Sequence, residues 1–214
     1  MKCIKVAIIL LFAAAFSAFP QSSDPAAIID RTLRQYDEWG GVEAQFSINI
    51  FSEKSSVNES FEGALIMVGD KFRLTTPDVI VWFDGVTQWT YMVRTNEVNV
   101  SAPTKKELRE LNPMLLLNDY KKDFDVKLTG ESTTTNARMA YDIALTPKRS
   151  EDIKRIEVQI EKSNNLPARL VVILKNDTRN TVNIGKLGSF TSGSDSCFVF
   201  PEALYPDVEI IDLR

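Results

Sequence analysis

The sequence predicts a mainly β protein in which about eleven antiparallel strands curl into a barrel or partly open barrel, accompanied by a few α-helices. The first observation behind this is strict alternation: Val42, Ala44, Phe46, Ile48 and Ile50 are interleaved with Glu43, Gln45, Ser47 and Asn49, the pattern of a strand with one apolar face. The second is the recurrence of short runs rich in β-branched and aromatic residues along the rest of the chain. The third is that only two stretches after the leader carry helical patterning. Twist accumulates from strand to strand, so this many strands curl rather than stay flat.

The first residues read as a secretory signal peptide. Lys2 and Lys5 precede an unbroken apolar run from Val6 to Phe16, and Ala15-Phe16-Ser17 offers small residues at the positions a signal peptidase reads, with cleavage after Ser17 or Ala18. The run is too short to span a bilayer comfortably, and no later stretch approaches the roughly 20 apolar residues that a membrane helix needs. The expectation is therefore a leader over 1–18, a single domain over 19–214, and an exported, periplasmic protein. Cys3 lies upstream of the apolar run, so it is not the acylated cysteine that follows such a run in a bacterial lipoprotein. With the leader removed, Cys197 is the single cysteine, which leaves no intramolecular disulfide, and its apolar neighbours suggest a buried strand thiol.

Asp24 and Pro25 form an N-cap and first-turn pair. Ile29, Leu33 and Tyr36 then recur at helical spacing until Gly40-Gly41 stops the run, which predicts a helix over 25–39. Strands follow at 42–50, 57–68, 71–76, 79–84, 87–93 and 96–101. Asp84-Gly85 marks a tight hairpin turn that needs positive φ. Asn112 and Pro113 open a short helix over 113–118, where Met114-Leu115-Leu116-Leu117 is apolar nearly all round. Strands resume at 124–130, 138–146, 153–162, 166–175 and 180–187, with Cys197–Phe200 as a short last member.

Bulky apolar residues gather on one side of several strands: Leu65 and Met67, Phe72 and Leu74, Trp89 and Tyr91, and Tyr141, Ile143 and Leu145. The concave face is thus lined with hydrocarbon. A barrel of this many strands is wider than its own side chains fill, so its interior is either a ligand cavity or plugged by another element. The two apolar helices are natural plugs, and pattern alone does not separate a permanent plug from a lid.

Composition excludes several function classes. The chain has no histidine, which removes the commonest general base, proton shuttle and zinc ligand together. Its formal charge is −4, with no basic excess to meet a phosphate backbone, so nucleic acid is not an expected partner. The acidic pairs Glu107 with Glu110 and Glu151 with Asp152 sit in polar surroundings that do not raise a carboxylate's pKa. No Gly-rich phosphate loop, cysteine pair or carboxylate cluster points to a cofactor or metal. No enzymatic activity is expected.

The order of parts resembles the outer-membrane lipoprotein carrier proteins of the LolA type. The resemblance rests on Phe61-Glu62-Gly63, Lys71-Phe72-Arg73-Leu74 with Pro77, Asp84-Gly85 with Trp89 and Tyr91, Asn112-Pro113-Met114-Leu115-Leu116-Leu117, Leu145-Thr146-Pro147-Lys148 and Phe198-Val199-Phe200-Pro201. It implies an open, incomplete barrel whose helices cover a hydrophobic cavity, and a periplasmic chaperone that carries acylated lipoproteins. The implied partners are those lipoproteins, the inner-membrane lipoprotein-releasing ABC transporter and an outer-membrane acceptor, with the carrier acting as a monomer and without a cofactor. By correspondence, Phe72 and Leu74 fall at the cavity mouth, Met114, Leu115 and Leu117 on the lid-helix contacts, and Leu33 and Tyr36 on the matching face of the first helix. These seven are the expected acyl-facing set, with Met67, Met114 and Met139 as adaptable lining.

One departure stands out. Enteric relatives place a lid-latching arginine in the turn before the Lys-Phe strand, where this chain reads Val68-Gly69-Asp70. Arg73, by alternation with Phe72 and Leu74, points away from the cavity, so the latch does not carry over. The resemblance also admits a second reading, a periplasmic lipid or lipoprotein sensor of the RseB type that regulates an envelope stress response. In the carrier reading, acyl entry displaces both covering helices and exposes the concave face.

Overall fold

The computed structural model describes residues 24–104, 107–108, 120–149, 152–191 and 195–214. The expected leader and the helix expected over 113–118, with Met114, Leu115 and Leu117, lie outside the described residues.

The first helix forms where its signals place it. Helix α1 runs Pro25–Trp39, the Asp24 carboxylate accepts from the Ala26 N–H at 3.0 Å, and Gly40 closes the helix in the left-handed conformation at φ 67°. Among the described residues twelve strands follow: β1 Val42–Ser52, β2 Val57–Val68, β3 Lys71–Thr75, β4 Val79–Phe83, β5 Gln88–Met92, β6 Glu97–Ser101, β7 Phe124–Thr133, β8 Met139–Pro147, β9 Ile153–Glu161, β10 Pro167–Leu174, β11 Arg179–Ser189 and β12 Glu209–Asp212. A one-turn helix α2, Tyr120–Asp123, precedes β7. All twelve strands form one sheet in the order β12-β6-β5-β4-β3-β2-β1-β11-β10-β9-β8-β7. The sheet does not close on itself, and its edges are β12 and β7. This is an open β-barrel.

Cross-strand register shows how alternation builds a continuous lining. One row runs Val42, Met67, Phe72, Phe83 and the next Ala44, Leu65, Leu74, Val81 across β1 to β4. On the other half, Leu128, Ile143, Val158, Leu170 and Val182 align across β7 to β11. Each row sits on one face because the side-chain period is two. The first half packs as a cluster of Leu65, Phe72, Val81 and Phe83; the second packs Ile143, Leu145, Ile156, Val158, Ile160, Leu170 and Val172 beneath Ile28 and Ile29 of α1.

The last part of the chain departs from expectation. Cys197 to Phe200 is not a strand: Asp195–Phe198 is a 3-10 turn in which Cys197 is half-buried and Phe198 buried. The twelfth strand is β12, and it pairs parallel to β6. Its neighbours Phe200 and Tyr205 cover the opposite face of the sheet, with ring centroids 5.4 and 6.2 Å from Trp82. Trp89 and Tyr91 join that cluster, because their register partners are Trp82 and Ile80 and not Val81 and Phe83. They are therefore convex-face residues, not cavity lining. The β4–β5 connection also differs from a two-residue hairpin: it spans 84–87, the Asp84 carboxylate accepts from the Val86 and Thr87 N–H groups, and Gly85 has φ 102°.

Candidate functional site

The apolar floor of β1 to β4 is the first component. Phe72 is fully buried, its ring centroid 5.5 Å from that of Phe83, and Leu74 is half-buried against the same cluster with Ala44, Phe46, Met67 and Leu108. Arg73 pairs with Ile66 and Trp82 and so faces the convex side, as its alternation predicts. Both rows turn polar at β5 and β6. Val42, Met67, Phe72 and Phe83 continue into Gln88 and Ser101, and Ala44, Leu65, Leu74 and Val81 into Thr90 and Asn99. Gln88 is buried, and its amide donates to Thr90 Oγ1 at 3.0 Å. The floor thus ends in a hydrogen-bonding wall.

The second half of the concave face is filled by α1, and polar ties hold it there. The Thr32 hydroxyl donates to the Asn165 carbonyl at 2.7 Å and Arg31 Nε to Asn165 Oδ1 at 2.9 Å. Tyr120 shares its hydroxyl proton between the Ala26 carbonyl at 2.9 Å and Asp30 Oδ1 at 2.8 Å, and Lys121 pairs with Asp30 at 2.8 Å. Lifting α1 would expose Ile28 and Ile29 and break these hydrogen bonds, roughly 6–9 kcal/mol together. Each methylene taken out of water contributes about 0.8 kcal/mol, so a long acyl chain offers on the order of 10 kcal/mol. Displacing α1 would consume most of that. In this structure α1 fills its half of the concave face.

Of the expected acyl-facing residues, Leu33 packs on the α1 side of this core. Tyr36 stacks toward Trp39 at 6.0 Å, and its buried hydroxyl has no hydrogen-bond partner among the described residues; burial pushes its phenol pKa up. Phe72 and Leu74 share a cluster with each other but not with Leu33. Of the four described members, Leu33 thus packs with one cluster and Phe72 and Leu74 with another. Met67 packs on the β1 to β4 floor, whereas Met139 is exposed.

Between the two halves the structure opens a feature that sequence pattern did not reveal. β11 pairs with β1 as far as Ser189, while its ladder with β10 reaches only the Arg169–Asn183 pair. The β1–β11 register also shifts between Gln45 and Phe46, leaving Gly185 as an extra residue. A cleft of about 830 Å³ lies at this seam, lined by Phe46, Gly63, Thr75, Pro77, Thr135 and Ile184 among others. It adjoins a second of about 540 Å³ that reaches Ala44, Leu65, Leu166 and Leu187. The two share Gln45, Ala64, Asn136, Ala168, Ile184 and Gly185. Both volumes fall within the roughly 300–1,000 Å³ of small-molecule sites. At the rim, Arg138 donates to the buried Glu161 carboxylate at 2.8 Å, and Asn164 does so at 2.7 Å.

Two carboxylates near the covering elements are held in their ionised form. The Glu107 carboxylate accepts from the Thr104 N–H and hydroxyl at 2.7 and 2.8 Å, which holds its pKa below the usual range. The Thr104 hydroxyl in turn accepts from the Glu107 N–H at 3.3 Å, so the two residues bond reciprocally. Asp30 is likewise held low, chiefly by the Lys121 ammonium, with the Tyr120 hydroxyl adding to the effect against a burial penalty. A carboxyl whose folded pKa is depressed adds stability above its unfolded value of about 3.9, and that stability is lost as pH falls through the folded value. Urea unfolding at about pH 3 and pH 5 should therefore show a smaller acid loss for Asp30→Asn than for the parent. Equal losses would remove this tie as a pH-sensitive anchor of α1.

Similar solved structures include an uncharacterized conserved protein from Thermus thermophilus, 14% identical, with a TM-score of 0.58, covering 87% of this chain and 97% of that one. A LolA superfamily protein from Nitrosomonas europaea is 10% identical with a TM-score of 0.44, covering 82% and 97% of the two chains. The Mycobacterium tuberculosis lipoprotein LppX is 14% identical with a TM-score of 0.47, covering 80% and 100%. No curated protein matches the sequence. The family model described as outer membrane lipoprotein carrier protein LolA matches residues 16–168, most of the chain, and the protein belongs to that family.

Proposed function

We propose that this protein is a periplasmic carrier that shields the acyl chains of lipoproteins in its open barrel and moves them from the inner to the outer membrane. The observation that carries this reading is the apolar floor of Ala44, Leu65, Leu74 and Val81, reached from solvent through the seam cleft that Ala44 and Leu65 help to line. Membership of the lipoprotein carrier family supports it. Hydrocarbon in water is penalised by roughly 10 kcal/mol for each long chain, so a carrier needs a sheltered surface and not a catalytic group. Binding by population shift suffices, with no nucleotide, metal or bond-making step. On this reading an inner-membrane lipoprotein-releasing ABC transporter loads the protein, and an acceptor at the outer membrane unloads it.

The mature protein titrated with a fluorescent palmitoyl probe should show saturable binding, and the loaded protein should pass the probe to lipid vesicles. A sensor of the RseB type would bind the probe and retain it. Absence of saturable binding would overturn the acyl-binding reading altogether.

A further inference from the structure

We propose that acyl chains enter through the seam cleft, where the end of β10 leaves the β1–β11 ladder, with the Phe46 ring as the door between the larger cleft and Phe72 and Leu74. This rests on the acyl-binding reading and names its port.

Among the described residues, Phe46 is the aromatic residue that both lines the larger cleft and packs on the floor cluster. Its register partner on β2 is Gly63. A Cβ placed on Gly63 would stand 2.6 Å from Phe46 Cζ and 2.8 Å from the Thr75 carbonyl oxygen, so the ring lies over a position that only glycine leaves open. On its other side Phe46 meets the register shift at Gly185, where the β1–β11 ladder is irregular. A ring seated over glycine beside a bulge turns about its own side-chain bonds without breaking a strand pair. The alternative route, lifting α1, breaks the ties to Asn165, Asp30 and Ala26 and uses most of what an acyl chain returns.

The cleft also fits the ligand. The smaller of the two adjoining clefts is lined by Ala44, Leu65, Leu187 and the amide of Asn164, and Ile184 and the amide of Asn136 line both. The charged lining of the two adjoining clefts, Glu43, Glu62 and Glu161 against Arg138 and Lys186, differs by one charge. A lining with little net charge beside apolar side chains suits an acyl chain on an uncharged ester or amide linkage, the tail passing Phe46 and the linkage staying near Asn136 and Asn164.

Stopped-flow binding of a fluorescent palmitoyl glycerol ester reads the door directly. Phe46→Ala should raise both entry and exit rates by roughly tenfold and leave the dissociation constant nearly unchanged, as removing a gate does. A packing role alone would raise the exit rate and weaken affinity without faster entry, and that result would overturn the proposal. A measurement on the parent protein guards against a variant that fails to fold. Palmitoyl glycerol with a diazirine near its ester should label residues 134–138 or 184–187, and with the diazirine at the chain terminus it should label Leu65, Phe72 or Leu74. Saturable binding with labels elsewhere would sink the port and leave the carrier reading standing. Absence of binding would sink both.

Discussion

Phe72→Ala is expected to lower the unfolding free energy by about 3–5 kcal/mol, the cost of emptying a large aromatic from a packed core. The ring is fully buried, touches Phe83, and stands in the row Val42, Met67, Phe72, Phe83 that joins four consecutive strands. β3 and β4 are only five residues each, so little else compensates for the lost contact. Urea denaturation followed by circular dichroism measures the effect, and Phe72→Leu should recover most of it. A loss below about 1 kcal/mol would mean that the neighbours collapse into the space, and that the floor is soft and not a packed core.

Leu74→Glu should abolish acyl binding while leaving the fold intact. Leu74 is half-buried, so a carboxylate there can reach water in the empty protein, but it stands between Leu65 and Val81 on the surface that hydrocarbon would cover. Covering it with a chain buries a charge or forces its neutralisation, at a cost of at least about 3 kcal/mol, or roughly a hundredfold in affinity. Binding should recover in part at acidic pH, where the carboxyl is protonated. Arg73→Glu on the opposite face of the same strand should bind like the parent. Equal binding by Leu74→Glu and the parent would remove this face from the account.

The elements themselves were legible in the sequence because their signals are local. Asp24, Pro25 and Gly40 bound α1 where capping chemistry places it, and alternation located β1 through β11 to within a few residues. The strand at the end of the chain was misplaced. Phe198 and Phe200 look like strand residues by composition, yet they are buried as anchors of a 3-10 turn and of the aromatic cluster around Trp82. β12 carries only four residues, Glu209 to Asp212, and its pairing with β6 joins segments more than a hundred residues apart. A pairing of that separation leaves no periodic trace in either segment.

The candidate site divides along the same line. Phe72 and Leu74 share a face by alternation, and the structure keeps them together; Leu33 packs with a different cluster because α1 covers β7 to β10 and not β1 to β4. Phe46 gave no sequence signal beyond its place in an apolar row. Gly63, within the Phe61-Glu62-Gly63 motif, was the available hint, since an unexplained glycine in a strand often marks a close approach.

By itself the sequence determined the helix ends, the strands and which residues of each strand share a face, since capping and a period of two act between near neighbours. Tertiary structure alone decided which face is concave. Trp89 and Tyr91 alternate as cleanly as Phe72 and Leu74, yet they lie on the outside because the segment holding Phe200 and Tyr205 folds over them. It also decided where the barrel opens, since the seam arises from the mismatch between the long β1–β11 ladder and the short β10–β11 ladder. Burial depends on what the rest of the chain brings to a surface, and ladder length depends on both strands of a pair, so neither is written in the pattern of one segment.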